Sequence, residues 1–457
     1  KRTSGSYFMV STRPPVLLLS CMISQNGIVL PHKNSQVNLD TSDRIPYSPP
    51  INRELLITDF RMIHLTRLLV FTFIEEFATV LVHRGVYFYT REALGFGENE
   101  NLLLALCMGA VYVIGALPSH RTAKWLGNRR AVLCLLATQI LMLALVYHWP
   151  RGWILTAGFL VFSCLNAMMW PIVESYVSAG LTPMEASRAI GKFNVAWSVS
   201  VPLSVWASGP IIHHLGAGLF LCAAGGMVVP ILLALGLQPK PPCLAADHPE
   251  HPSPERIRWL SALMVSSRSS MVAGYAMLFV LSPLLPVLLS NLGYTVVAQT
   301  ALAGCLDAGR AVIFAAMQKT QYWHGRRSVL ALVGILMPMG FLLALSGGQG
   351  GVIAVGLLLF GASHGVSYYA SLYYAMVTGS AAVKSAGMHE GLVGAGFVLG
   401  PASALVGRQL GSLWHHAAAG ILAGVAPIVI AGALGGLWPL LRASRTGSEN
   451  SRPDPAA

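Results

Sequence analysis

Charge is scarce in this 457-residue chain: only 11% of residues are Asp, Glu, Lys or Arg, against roughly 25% in a soluble globular domain. A water-soluble fold of this length would lack the polar side chains to cover its surface. Cysteine is sparse and scattered. Cys21, Cys107, Cys134, Cys164, Cys222, Cys243 and Cys305 form no CxxC pair and no Cys/His cluster, which supports neither a disulfide framework nor a zinc site. Most of them lie in apolar runs, where a thiol packs as a small hydrophobe. Nucleotide fingerprints are also missing. Neither GxxxxGK[ST] nor GxGxxG occurs, which argues against ATP as the direct energy source.

What the chain does have is apolar length. Hydrophobic residues make up 54% of it, and the mean hydropathy is +0.61. Residues 1–61 stand apart, with Pro14-Pro15, Pro49-Pro50, mixed charges and no sustained apolar run. They are expected to be disordered, or to lie upstream of a natural start at Met62. From there, apolar stretches near the ~20 residues that cross a bilayer alternate with short polar breaks. They fall at 65–90, 101–119, 130–148, 153–178, 190–213, 217–237, 262–289, 296–317, 328–346, 350–376, 387–409 and 416–441. The expected fold class is an all-α membrane protein with twelve transmembrane helices. A polar Pro-rich linker at 238–257 divides it into six-helix halves at 64–237 and 258–441, and 442–457 forms a polar tail.

Basic residues are unevenly placed among the breaks. Even-numbered breaks carry Arg121, Lys124, Arg129 and Arg130, then Arg188, then Lys240, Arg256 and Arg258, then Lys319, Arg326 and Arg327, then Lys384. Odd-numbered breaks offer little beyond Arg91, Arg151 and Arg408, offset by Glu92, Glu98 and Glu100. The positive-inside rule then places both termini in the cytoplasm. The net charge of +12 is thereby a matter of topology, and no nucleic-acid partner is expected. The absence of organellar and glycosylation signals points to a bacterial inner (plasma) membrane.

An internal repeat supports the division. Leu94-Gly95-Phe96 returns as Leu292-Gly293-Tyr294, 198 positions on (292 minus 94). Gly127-Asn128-Arg129-Arg130 is echoed by Gly325-Arg326-Arg327 at that offset within one residue, and Pro202 by Pro401. Duplicated halves with a site between them are a common transporter plan. On these residues the chain resembles the major facilitator superfamily over about 64–441. The resemblance implies a two-lobed carrier whose halves rock about a midplane cavity, moving a small molecule by alternating access. The family's loop motif is matched loosely by Gly115, Gly127, Arg129 and Arg130, with Ser119 where an acid is usual, and in the second half by Gly325, Arg326 and Arg327. Gly400-Pro401 in span 11 is similar to a motif that the family's exporters carry in span 5.

Ionisable groups inside spans are costly, at roughly 2.5–3.5 kcal/mol each on insertion scales, and usually face a cavity or a partner. Span 1 holds Glu75, Glu76, His83 and Arg84, and Glu76, His83 and Tyr87 share one helical face. Glu76 is the first candidate for proton coupling; structural pairing with an arginine is the alternative. Asn166, Trp170 and Glu174 are spaced i, i+4, i+8 in span 4, and an aromatic one turn from a carboxylate suits a cationic or ring-bearing ligand. Asp307 and Arg310 in span 8 are placed to neutralise each other. His364, Tyr368 and Tyr374 lie on a polar face of span 10. Glu390, near the start of span 11, reads as a helix-terminal or gating carboxylate.

Two rivals remain at this stage. Gly361-Ala362-Ser363-His364-Gly365 matches GxSxG, which would make Ser363 the nucleophile of a membrane hydrolase if it stood on a strand-to-helix turn. A non-transporting receptor or scaffold is the other. The preferred expectation is a secondary transporter, not an enzyme. It is expected to need no cofactor or metal, with a small-molecule substrate, protons and the lipid bilayer as partners, and to work as a monomer.

Overall fold

The computed structural model describes residues 53–150, 152–177, 179, 181, 183–241, 254–378 and 383–445. Most of the expected N-terminal extension, the linker and the C-terminal tail lie outside these residues. Among the described residues the secondary structure is helical throughout. In chain order the helices are α1 (Arg53–His83), α2 (Gly85–Leu94), α3 (Glu98–Ala116), α4 (Ser119–Leu126), α5 (Asn128–His148), α6 (Gly152–Val177), α7 (Pro183–Leu215) and α8 (Gly218–Gly226). They continue as α9 (Val228–Leu235), α10 (Pro254–Asn291), α11 (Val296–Lys319), α12 (Arg327–Ser346), α13 (Gly350–Thr378), α14 (Val383–Trp414) and α15 (Ala417–Arg445).

Eleven segments among the described residues are long and apolar enough to cross a membrane. They correspond to the expected spans 2 to 12. The expected first span runs through α1 and α2, and Arg67, Glu75, Glu76 and Arg84 keep it from the same apolar measure. Two spans are interrupted. The first breaks at Arg84, between α1 and α2, and the sixth at Met227, between α8 and α9. Hydrocarbon holds no water to satisfy backbone groups, so a break there must be covered by protein. Arg84 is buried, and its backbone N–H still donates to the Val80 carbonyl at 3.0 Å. Large apolar side chains such as Leu141, Val312 and Ile335 face outward, as lipid-facing positions should.

The repeat is written into the backbone as well as the sequence. Gly95 and Gly293 both take positive φ, at 69° and 83°, and so do Gly127 and Gly325, at 81° and 68°. Glycine reaches this region without the Cβ clash other residues meet. A third pair escaped the sequence comparison: Gly216 has φ 55° and His415 has φ 56°. The turn between the last two spans of each half is thus the same left-handed turn, with glycine in one half and histidine in the other.

The halves meet along two seams, α3 with α14 and α7 with α11. Small residues let these helices approach closely, the usual way helices associate in lipid. A Cβ added at Gly109 of α3 would stand 2.6 Å from the Phe397 carbonyl oxygen of α14. One added at Gly209 of α7 would stand 3.0 Å from the Val297 Cα of α11. The seams persist to both ends. At one end Arg408 of α14 is ion-paired with Glu98 of α3, and its Nε donates to Asn99 Oδ1 at 2.5 Å. At the other, Gly387 of α14 lies against Ser119 and Ala116, and Gly191 of α7 against Gln318 of α11.

Overpacking such a contact costs about 1–3 kcal/mol. Gly109→Val is expected to lower the melting temperature of the purified protein by several degrees, whereas the same change at Gly225, which has open space around it, leaves it nearly unchanged. Equal melting temperatures for the two variants would contradict the seam.

Candidate functional site

Between the two seams lies a partly open cavity of about 80 Å³. Three carboxylates line it: Glu76 from α1, Glu174 from α6 and Glu390 from α14. Around them stand Tyr112 of α3, Trp170 of α6, Phe193 and Trp197 of α7, Tyr275 of α10 and Tyr368 of α13, with Val393 of α14. Tyr112 donates to Glu390 Oε2 at 2.5 Å, a bond between the halves. Glu174 is 2% exposed, and its Oε2 has no hydrogen-bond partner. Trp197 stacks edge-on against Tyr368, with ring centroids 5.0 Å apart.

The residues singled out in the sequence divide between the cavity and its supports. Glu76, Trp170, Glu174 and Tyr368 line the cavity. Glu390 does too. Its helix starts at Val383, two turns before it, so it stands inside the bundle rather than at a helix terminus. Glu75 points away from the cavity: it accepts from Thr79 Oγ1 at 2.7 Å, and the same hydroxyl lies 3.5 Å from Asn166 Oδ1. Asn166 therefore belongs to this α1–α6 contact and not to the cavity lining. The break at Arg84 separates Tyr87, on α2, from Glu76 and His83, which share a face of α1. His83 is wedged among the rings of Phe162, Tyr112 and Phe397, and Tyr87 is buried with an unpartnered hydroxyl. His364 lies edge-on to Tyr275 at 4.6 Å and stacks on Phe360. Tyr374 is further off, its hydroxyl accepting from Gly325 N at 3.1 Å.

Asp307 and Arg310 pair along α11 at 2.8 Å, as their spacing predicts. The structure adds a third member from the other half: Arg84 Nη1 approaches Asp307 Oδ2 at 3.1 Å. All three groups are buried. Arg310 also covers the ring of the cavity residue Trp197, 4.8 Å from its centroid. One carboxylate thus holds two guanidiniums, one from each half, just outside the cavity.

The motif residues act at the helix ends and crossings. Gly115 lies under the Cys164 carbonyl of α6, and Gly400, next to Pro401, under the Ala276 carbonyl of α10. Arg129 donates to the Leu237 carbonyl at 3.4 Å, while Arg130 is exposed. Arg326 lies over the Tyr322 ring, and Arg327 opens α12. Ser363 is a helical residue in α13 whose hydroxyl donates to the Leu359 carbonyl at 2.9 Å. The strand-to-helix turn that a GxSxG nucleophile needs is not formed there, so the hydrolase reading fails.

In the loop before α12, His324 stacks on Tyr373 at 4.6 Å. Burial, and then the charge of Arg256, hold its imidazole down at about 4 from an ordinary 6.5. Unfolding restores the ordinary value. The stability this histidine contributes is therefore complete above pH 6.5 and is lost as the pH falls toward 4, because the unfolded chain takes up the proton first. Trp323, packed on Tyr373 at 4.9 Å, reports on this loop. His324→Phe should keep the stacking and flatten the fall in stability between pH 6.5 and 4; an unchanged slope would refute the assignment.

Leaving a buried charge without its partner costs about 3–5 kcal/mol. Asp307→Asn strands two guanidiniums, whereas Arg84→Met leaves Asp307 paired with Arg310. The first is expected to lower thermal stability far more than the second, and the reverse order would overturn the shared-carboxylate geometry.

The sequence model described as Major Facilitator Superfamily matches residues 70–401. No curated protein matches the sequence. Among solved structures, the human organic anion transporter MFSD10 (TETRAN) is similar at 16% identity and TM-score 0.60, covering 87% of this chain and 100% of its own. The nucleoside transporter NupG matches at 12% identity and TM-score 0.60, covering 83% and 99%. The E. coli fucose:proton symporter FucP matches at 12% identity and TM-score 0.57, with the same coverage. With its helical bundle, its paired seams and a family match over most of its length, the chain belongs to the Major Facilitator Superfamily of membrane transporters.

Proposed function

We propose that the protein is a secondary active transporter that moves a small molecule by alternating access and couples that movement to protons on the cavity carboxylates. The observation that carries this reading is the origin of the three carboxylates. Glu76 and Glu174 come from one half and Glu390 from the other, around one cavity. Rocking the halves changes the distance between them and their access to water. The same motion that exposes the cavity to either side would let its carboxylates load and release protons. The Tyr112–Glu390 bond gives that motion a contact to break.

The working arrangement has halves at 64–237 and 258–441 joined by the linker at 238–257. The basic breaks and both termini face the cytoplasm of a bacterial inner membrane, and the monomer is the functional unit. The loop charges support that orientation. The cargoes named for the three similar structures are an organic anion, a nucleoside and fucose with a proton. They are chemically unlike one another, so cargo identity has to come from the cavity itself.

The test is flux in proteoliposomes containing a pH-sensitive dye, with compounds screened for substrate-dependent proton movement. For any transported compound, Glu76→Gln and Glu174→Gln are expected to reduce pH-driven accumulation at least ten-fold while leaving exchange of labelled for unlabelled compound measurable. Accumulation that follows a pH gradient equally well in both variants and in Glu390→Gln would contradict the coupling.

A further inference from the structure

The cavity is unbalanced in charge. Its lining contains three carboxylates and no basic side chain. The charged groups nearest to it do not correct this. Arg84 and Arg310 share Asp307, and Arg310 is also engaged with Trp197 and within electrostatic range of Glu76, which leaves Glu174 and Glu390 without a basic partner in the lining. Arg268 of α10 lies within electrostatic range of His389, on the α14 side. With Glu75 turned away to Thr79, Glu76, Glu174, Asp307 and Glu390 stand against Arg84, Arg268 and Arg310, four acids to three bases. The remaining titratable neighbours are His83 on α1, packed on Tyr112, Tyr112 itself on α3, Tyr275 on α10, His364 and Tyr368 on α13, and His389 on α14. Both nitrogens of His364 and of His389 lack partners, and neither ring contacts a carboxylate.

A second observation is independent of the charge count. The walls between the carboxylates are aromatic, and they come from both halves. Trp170 and Tyr368 stand 198 positions apart (368 minus 170) at corresponding places in the repeat, and both line the cavity. Indole and phenol faces attract cations, and Trp197 already carries one on its ring in Arg310. Glu174, buried and with Oε2 unpartnered, lines this aromatic space.

We propose that the cavity binds an organic cation, a small amine or quaternary ammonium with its charged head between Glu174 and Glu390 and its carbon surface against the Trp170, Trp197 and Tyr368 rings. The cation and protons occupy the same carboxylates, so each displaces the other. That exclusion makes the carrier a proton/cation exchanger and not a symporter of the two. The proposal rests on the transport reading above and specifies its substrate class.

Equilibrium binding tests it on the purified full-length protein in nanodiscs, with three probes of similar shape: phenyltrimethylammonium, tert-butylbenzene and benzoate. The ammonium is expected to bind saturably, to release protons in weakly buffered solution on binding, and to bind at least ten-fold more weakly at pH 6 than at pH 8. Glu174→Gln and Glu390→Gln should each weaken it at least ten-fold. Trp197→Phe, which keeps an aromatic face, should weaken it less than Trp197→Leu. The neutral and anionic probes should not compete. Stronger binding of benzoate, equal binding of tert-butylbenzene, absence of saturable ammonium binding, or ammonium affinity indifferent to both pH and the two glutamines would each overturn the cation assignment. If benzoate binds and proteoliposomes still show proton-coupled flux, the cation proposal fails and the transport reading stands. If the ammonium binds as described and no flux of it is seen, the transport reading fails and the cation site stands.

Discussion

Asp307 holds two arginines that neither half could keep buried without it. Arg84 stands at a break in the first span, Arg310 on the eighth, and the carboxylate between them belongs to the second half. A lone guanidinium in a bilayer interior is expensive. Arg310 keeps Asp307 within its own helix, but for Arg84 the expense is offset only while the two halves are in register, which ties this pair to the interface between them. The glycine-lined seams and the Tyr112–Glu390 bond lie on the same interface. With the Arg408–Glu98 pair at one end and the Gly387–Ser119 contact at the other, this conformation has its halves joined at both ends.

The duplicated scaffold and the unduplicated charges divide the work. Left-handed turns, basic loops and the Trp170–Tyr368 pair recur at the repeat offset. The cavity acids do not: the positions 198 away from Glu76, Glu174 and Glu390 are Gly274, Leu372 and Lys192. The repeat supplies the two-lobed frame. The chemistry sits where the two copies differ, which gives one cavity a strongly acidic character while most of its walls remain aromatic and apolar.

Much of this was legible in the sequence, for identifiable reasons. Spans 2 to 12 were visible because hydrocarbon demands about 20 apolar residues in a row. Glu76, Trp170, Glu174 and Tyr368 were visible because charge and paired aromatics are conspicuous in such runs. Glu390 was misplaced because apolarity marks where a span begins but not where its helix begins, and α14 starts well before the apolar run. Tyr112, Phe193, Trp197, Tyr275 and Val393 carried no signal, since an aromatic or valine in an apolar helix reads equally well as packing. The bridge from Arg84 to Asp307 joins residues more than two hundred positions apart, and no local pattern encodes it. The break at Arg84 undid the helical-face argument for Tyr87, because that argument assumes an unbroken helix, whereas His83 keeps its face and is taken up by the rings of Phe162, Tyr112 and Phe397.

Alternating access requires the halves to rock about the acidic cavity so that one end opens as the other closes. Spin-label distances at both ends of the α3–α14 seam test it directly. In a cysteine-free background, one pair is Leu103→Cys with Leu413→Cys, and the other is Trp125→Cys with Met388→Cys; all four positions are exposed. The account predicts two distance populations for each pair, shifting in opposite directions between pH 8 and pH 6. A single unchanging distance at either end, or both ends widening together, would contradict it.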